Sequence, residues 1–452
     1  MSDAPAVLWL RRDLRRHDHP ALLVASRSTS ATVHPLFVID PTLWASAGTV
    51  RRAWLAANIR AARAAYEDRL TILLGDPARV VPEFARHLGA GSVHVTGEST
   101  PYGSRRDTRV EEALDCPMIA SGTPYAVDPG EVLNRGGEPY KVFTAFARAW
   151  REHGWPGPAP EPGRIEFGDV QADSAAERAL SGAVGEIELP EAGEDAALRR
   201  WHEFVDRGLA DYATERDRPD HAGTSGLSPY LKVGAIHPRT LLADLAGTAG
   251  EGAASFVDEL AWREFYADVL HHSPESAWRD LRPELAGLRY DDPGDAFTAW
   301  CRGETGYPIV DAGMRQLLAT GWMHNRVRMI VASFLTKDLH AWWPAGARHF
   351  LDHLIDGDLA SNNHGWQWVA GTGTDAAPYF RVFNPITQGR RFDPEGEYVR
   401  RWVPELRHLP GGSAHEPWRH EHGYDTGYPV RLVDHAEERR EALARYQEAR
   451  AR

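Results

Sequence analysis

Lysine is almost missing from this 452-residue chain, occurring only at positions 141, 232 and 337. Nearly all positive charge is therefore arginine, whose planar fork suits bidentate phosphate contact and stacking better than a point ammonium does. Cysteine is as scarce, with Cys116 and Cys301 alone; a disulfide framework is excluded and a reducing cytosol is expected. Signal peptide, lipidation motif and any apolar run long enough to cross a bilayer are lacking, which predicts a soluble intracellular protein. A positive balance is lacking too. The formal net charge of −13 counts against binding nucleic acid through bulk charge, since duplex affinity rests largely on phosphate neutralisation. A local arginine surface on an acidic protein stays open.

What is abundant is tryptophan, 16 residues in a chain otherwise of ordinary composition, 42% apolar and 25% charged. Indoles pack, but they also stack on flat ligands and carry electrons. The length exceeds one typical domain and predicts two with sizeable cores. Short apolar runs at Ala6–Leu10, Val33–Ile39, Leu70–Leu74 and Ser92–Val95 alternate with stretches of helical spacing such as Ala53–Tyr66. That is the pattern of a parallel sheet with helices on both faces. Such sheets bind ligands beyond the carboxyl ends of their strands. Arg11, Arg12 and Asp13 sit at one such end, although a solvated loop explains three charges as well. Residues 154–195 are rich in Gly, Pro, Ala and Glu, show no period, and read as a linker. From about Ala196 the spacing turns helical and stays so.

Several helical stretches gather polar groups on one face. Tyr212 and Arg216 lie one turn apart. In Thr224-Ser-Gly-Leu-Ser-Pro229, Ser228 is placed to cap a helix that Pro229 opens. A helix N-terminus among hydroxyls is a ready anion site, and a plain cap is the other reading. Ser255–Leu270 puts Glu259, Trp262, Arg263 and Tyr266 at i, i+3, i+4 and i+7, over apolar rows for the core; a surface ion pair beside a half-buried indole accounts for the same row. After Gly321, Asn325 and Met329 are again one turn apart, with His324 on a neighbouring face.

The densest chemistry lies in Asp356-Gly-Asp-Leu-Ala-Ser-Asn-Asn-His-Gly-Trp-Gln-Trp368, continuing from Ala370 to Pro385. Two carboxylates, adjacent amides at Asn362 and Asn363, and indoles at Trp366 and Trp368 suit a flat, hydrogen-bonding heterocycle that stacks and exchanges electrons. An Asp/Asn-rich turn beside a buried tryptophan pair is the alternative. No metal is expected, because hard ions need further oxygen ligands and His364 is the only soft ligand nearby. Gly371-Thr-Gly-Thr-Asp-Ala376 imitates a dinucleotide fingerprint but follows no strand of a βαβ unit.

With Thr305-Gly-Tyr-Pro-Ile-Val-Asp-Ala-Gly-Met314, Gly321-Trp-Met-His-Asn-Arg-Val-Arg-Met329 and Leu8-Trp-Leu-Arg-Arg-Asp-Leu-Arg15, this stretch closely resembles the DNA photolyase and cryptochrome family, most of all its class I cyclobutane-dimer branch. The resemblance implies an α/β Rossmann-like antenna domain with a parallel sheet over residues 1–130, a linker over 131–195, and an all-α FAD-binding catalytic domain over 196–452. It implies light-dependent repair of cyclobutane pyrimidine dimers in damaged DNA by electron transfer from reduced FAD to a flipped-out dimer, by a cytoplasmic monomer with no membrane partner.

By the same resemblance, FAD contacts fall on Tyr212, Thr224, Ser225, Gly226, Leu227, Ser228, Arg328, Asp356, Gly357, Asp358 and Asn362, with Arg328 the partner of Asp356. Catalytic positions fall on Glu259, Trp262, Asn325 and Met329, and DNA contacts on Arg216, Glu259, Trp262, Arg263, Tyr266, Asn325, Arg326 and Trp368. The branch that repairs (6-4) photoproducts carries histidines where Asn325 and Met329 stand. Electron supply maps to Trp366 and Trp343, with Tyr290 at an outer position that is usually indole; Trp300 offers another exit. Glu98–Asp107 is more similar to the 8-hydroxy-5-deazaflavin antenna branch than to the methenyltetrahydrofolate branch, whose Asn-Glu pair would fall at Tyr102 and Gly103. The alternatives are a cryptochrome-like blue-light photoreceptor without repair activity and (6-4) repair.

Overall fold

Five short strands form one parallel sheet in the order β3-β2-β1-β4-β5: β1 Ala6–Leu10, β2 Val33–Ile39, β3 Thr71–Leu74, β4 Ser92–Val95 and β5 Met118–Ala120. The computed structural model describes residues 3–185, 187–285, 287–292, 294–375 and 381–451; residues 376–380 of the dense motif lie outside them. Every residue of β1 and β2 is buried, as expected when helices cover both faces and the strands read as unbroken apolar runs. Leu8 lies opposite Pro35 on β2 and His94 on β4. The Ala53–Tyr66 expectation becomes the helix Thr49–Ala65 with Tyr66 as its C-cap. The Pro77–Leu88 helix, capped by Asp76 and ended by Gly89 in the left-handed region, packs Val80, Val81 and Phe84 on the sheet.

The chain falls into two compact units. The first comprises Met1–Tyr140, Phe146–Arg207 and Ser225–Pro274; the second comprises Lys141–Ala145, Gly208–Thr224 and Glu275–Arg452. In the second, helices such as Pro308–Thr320, Asn325–Ser333, Trp343–His353 and Leu359–Ala370 surround a core that includes Met314, Val327, Phe350 and Trp366.

The stretch read as lacking any period differs in one respect. It contains the helix Ser174–Gly182, whose first amides are capped by Asp173. Only Ala176 and Leu180 of that helix are buried, and two apolar positions one turn apart are too few to leave a legible period. Phe167 also forms an isolated parallel bridge with Val33, and Trp155 stacks 4.4 Å from Trp150, so this connection is packed into the first unit.

Candidate functional site

The Leu359–Ala370 helix starts at Asp358, whose carboxylate accepts the Ser361 amide at 3.1 Å, and ends at Gly371 with φ +85°. Its buried polar side is tied to residues 276–281. Gln367 donates to Ser276 O at 2.7 Å and accepts from Leu281 N at 2.9 Å, while Asn363 donates to Ala277 O. His364 Nδ1 lies 2.9 Å from Ala360 O and Nε2 lies 2.9 Å from the Ser276 hydroxyl. A carbonyl can only accept, so Nδ1 carries the proton and Nε2 accepts.

Both nitrogens of His364 are thus engaged, which removes it as a soft metal ligand. Among the described residues no cluster of three His, Cys, Asp or Glu side chains is arranged to hold a metal. Burial pushes the His364 imidazole down to about 4, so the unfolded chain takes up a proton below pH 6.5 that the folded one refuses. Stability from this group is complete above pH 6.5 and is lost as pH falls toward 4. Relative to a His364→Gln variant, which keeps a donor and an acceptor, the protein is expected to lose about 1.4 kcal/mol per pH unit in that window. A pH-independent difference in denaturant stability would remove His364 as a neutral buried anchor.

Just before this helix, Asp356 is buried with Oδ2 2.8 Å from Arg328 Nη2; the two side chains are 1% and 25% exposed. Arg328 Nε also donates to Met323 O at 2.8 Å, which fixes the guanidinium plane. Asn362 donates from Nδ2 to Ala347 O at 3.1 Å and to Asn363 Oδ1 at 2.8 Å. Its amino end is therefore committed, and Oδ1 is the end left for a donor such as a ring N–H. The indole N–H groups of Trp366 and Trp368 are buried without a hydrogen-bond partner among the described residues, and native proteins leave few such groups unmet. A buried carboxylate–guanidinium pair, an amide oriented to accept, and two unmet indole donors fit a polar-edged flat cofactor of the flavin type.

Trp366 packs 5.0 Å from Phe350 and 6.1 Å from Trp300. The close approach of the Trp343–His353 helix is permitted by Gly346, where an added Cβ would lie 2.2 Å from the Trp366 ring. Trp343 is completely buried and donates from Nε1 to Asp280 at 2.7 Å.

Tyr212 is buried, with Arg216 over its ring at 5.6 Å, and Thr224 is half-buried. Ser228 is not the cap that its spacing predicts. It is the first residue of the Ser228–Val233 helix, whose N-cap is Leu227 with no side-chain hydrogen bond. Ser225 accepts the Leu227 amide instead, at 3.4 Å. Gly226 has φ +63°, and Arg200, bonded to Ser225 O at 2.7 Å, occupies the place a side chain there would take. That geometry favours glycine and leaves backbone contacts alone at Gly226.

On the Glu251–His272 helix, Glu259, Trp262, Arg263 and Tyr266 are all half-buried, while Phe256, Leu260 and Phe265 are buried. The one-face row read from spacing is therefore present. Trp262 lies 5.3 Å from Tyr266, and Arg263 stacks 4.4 Å over Tyr125 while donating to Pro124 O. What spacing could not reveal is Glu264, a buried carboxylate accepting from Ala126 N, Val127 N and Trp150 Nε1 at 2.6, 3.0 and 3.0 Å. Its partners are over 100 residues away in the chain, and no local signal marks it.

At the start of the Asn325–Ser333 helix Asn325 is exposed and Met329 half-buried. Arg326 is bound by both oxygens of Asp217 and lies 4.4 Å over Phe392, so its charge is already compensated. His324 is the N-cap, accepting the Arg326 amide at 3.2 Å, and burial together with nearby arginines pushes it down to about 4.

At the carboxyl end of the sheet, where the strand order reverses at β1, Arg11 pairs with Asp107 at 2.8 Å, Arg12 with Glu98 at 3.8 Å, and Tyr102 donates to Asp40 at 2.6 Å. Burial acts to raise Asp13, but bonds from His19 and Thr96 and the Arg11 charge outweigh it and hold the carboxyl below its usual range. This is the position at which open α/β sheets take ligands.

Residues 6–163 match the family model described as DNA photolyase, and residues 256–448 match the FAD binding domain of DNA photolyase. The chain is 40% identical to a deoxyribodipyrimidine photo-lyase of Halobacterium salinarum, covering 98% of this chain and 99% of that protein. Among solved structures it is similar to a bacterial class III photolyase from Agrobacterium tumefaciens, with TM-score 0.89 and 34% identity over 100% of this chain and 99% of the other. It is also similar to a Synechocystis cryptochrome, with TM-score 0.88 and 25% identity over 98% and 100%.

Proposed function

Because the chain belongs to the DNA photolyase family, we infer that it is a deoxyribodipyrimidine photo-lyase, splitting cyclobutane pyrimidine dimers in damaged DNA under blue light. When bound and reduced, FAD would supply photochemical, reversible one-electron donation to the dimer, with no net redox change. The observation that carries the lesion class is Asn325 and Met329, one turn apart where (6-4) enzymes carry histidines, with His324 no substitute. His324 stands beside Asn325 but is buried, engaged as an N-cap and neutral. Asn325 and Met329 themselves offer no imidazole for proton transfer, whereas a (6-4) photoproduct demands acid–base chemistry there. Electron-driven opening of a cyclobutane ring needs none.

In this reading Asp356, Gly357, Asp358, Arg328 and Asn362 hold the polar edge of the flavin, with Asn362 Oδ1 accepting from a ring N–H. Tyr212, Thr224, Ser225, Gly226, Leu227 and Ser228 would hold the remainder, Gly226 through its backbone and the loop's hydroxyls and free amides at the diphosphate. Glu259 hydrogen-bonds the flipped-out bases, Trp262 and Trp368 stack beside them, and Asn325 and Met329 complete the lesion contacts. Arg216, Arg263 and Tyr266 contact the DNA backbone; Arg326, neutralised by Asp217, adds the least. Trp366 and Trp343 pass electrons inward during photoreduction.

The functional division is taken as antenna 1–130, connection 131–195 and catalytic region 196–452, in a cytoplasmic monomer. Among the described residues no helix is long and apolar enough to cross a membrane. A second chromophore is assigned to the sheet's carboxyl end. Tyr102, at one of the positions a folate-binding pair would take, is engaged with Asp40, which favours the deazaflavin type over the folate type.

The test is repair of an oligonucleotide carrying one cyclobutane thymine dimer, alongside a (6-4) substrate, by FAD-loaded reduced protein in blue light and in darkness. Light-dependent restoration of the dimer alone is expected. Flavin binding with neither lesion repaired would replace this reading by that of a photoreceptor. In the same assay Glu259→Ala is expected to bind the dimer about tenfold more weakly, the loss of one charge-assisted hydrogen bond, with FAD content intact. Unchanged binding and yield would remove Glu259 from the lesion site.

A further inference from the structure

We propose that Trp342 is the surface exit of the photoreduction chain, taking over the outer position at which Tyr290 stands. The proposal rests on the reading above that Trp366 and Trp343 carry electrons. Trp342 is 41% exposed, whereas Trp343 and Trp300 are completely buried. Its ring lies 6.4 Å from that of Trp343 and 6.3 Å from that of Tyr290, centroid to centroid. A hole reaching Trp343 therefore has an indole and a phenol to move on to.

Chemistry chooses the indole. A phenol oxidises readily only if its proton leaves at the same time, and Tyr290 Oη is buried with no hydrogen-bond partner among the described residues. Burial, and then the charge of Asp280, push the Tyr290 phenol well above its usual range, so neither base nor solvent is placed to take that proton. Indole tolerates the positive charge of one-electron oxidation long enough to pass it on. Asp280 favours that charge on both tryptophans, accepting from Trp343 Nε1 at 2.7 Å and from Trp342 Nε1 at 3.4 Å. Trp300 is no exit, since it lies in the core with its N–H bonded to Val331 O at 3.1 Å.

With FAD bound, each turn would draw one electron from Trp366 into the photo-excited flavin, so that two turns and one proton from water would take it from oxidised to fully reduced. Trp343 refills Trp366, and Trp342 refills Trp343. The oxidised Trp342 releases its Nε1 proton to water. A soluble thiolate then returns one electron and water returns the proton, and two thiyl radicals from two turns join as a disulfide.

The experiment compares Trp342→Phe, Tyr290→Phe and Trp366→Phe, each FAD-loaded and oxidised, under blue light with dithiothreitol. The rate of flavin bleaching is followed, and the flash-induced indolyl radical is read by electron paramagnetic resonance. Trp342→Phe is expected to lose most of the bleaching rate and the long-lived radical signal, with FAD content and melting temperature as in the parent; Tyr290→Phe keeps both rate and signal. Retention of the rate in Trp342→Phe, with loss in Trp366→Phe, overturns the exit alone. Loss in Tyr290→Phe with retention in Trp342→Phe assigns the exit to the phenol and likewise overturns it. Retention in Trp366→Phe removes the underlying reading that these indoles carry the electrons.

Discussion

Asp356→Ala is expected to emerge from purification with little or no FAD, its affinity for the cofactor reduced about 100-fold, which corresponds to about 3 kcal/mol. The reason is electrostatic. The Asp356 side chain is 1% exposed and pairs with Arg328, itself three-quarters covered and held in place by Met323 O. Deleting the carboxylate leaves that guanidinium half-buried and uncompensated, positioned for a partner that no longer exists. Cation and cofactor must then share a site organised for three groups. Asp356→Asn separates the contributions, since it keeps shape and one acceptor while removing the charge. The ratio of flavin to protein absorbance after gel filtration reads both variants. Full occupancy in Asp356→Ala would show that the ion pair supports the fold and does not hold the flavin.

Gly346→Ala is expected to destabilise the protein by about 3 kcal/mol, the upper end for overpacking a core. A Cβ at this position would lie 2.2 Å from the Trp366 ring and 2.6 Å from Leu335. Neither neighbour can yield cheaply: the indole is wedged between Phe350 and Trp300 at 5.0 and 6.1 Å, and Leu335 is buried in the same core. Relief requires the Trp343–His353 and Leu359–Ala370 helices to move apart, which also separates Trp343 from Trp366. Denaturant unfolding measures the first effect and flavin bleaching the second. A loss of stability within error of zero would mean that the two helices do not approach this closely in solution.

The local features of this protein were open to reading because their causes are local. Alternation of apolar runs with helical spacing specifies a parallel sheet, and the structure forms it at the four expected runs, β1 to β4; the three-residue edge strand β5, without a buried residue, leaves no such run. Spacings of three, four and seven residues put Glu259, Trp262, Arg263 and Tyr266 on one face of a helix whatever that helix packs against. The motif resemblance implies the Arg328–Asp356 pair, and the structure joins the two at 2.8 Å.

Where capping and neighbours compete, spacing was a poorer guide. Ser228 reads as a cap, but Gly226 turns the chain through the left-handed region and shifts the N-cap to Leu227. The Ser174–Gly182 helix is too short and too sparsely apolar to announce itself.

The two kinds of architecture, the identity of the chemically dense stretch and the rows of side chains on each helix all depend on residues within about two turns of one another, and are legible in the chain without its fold. The folded arrangement settles which distant groups complete one another. It engaged both nitrogens of His364, committed the amino end of Asn362, buried Glu264 against three donors over 100 residues away, and set exposed Trp342 beside both Trp343 and Tyr290. Protonation state, amide orientation and access to solvent are properties of a residue's surroundings, and those surroundings are assembled from parts of the chain that carry no record of one another.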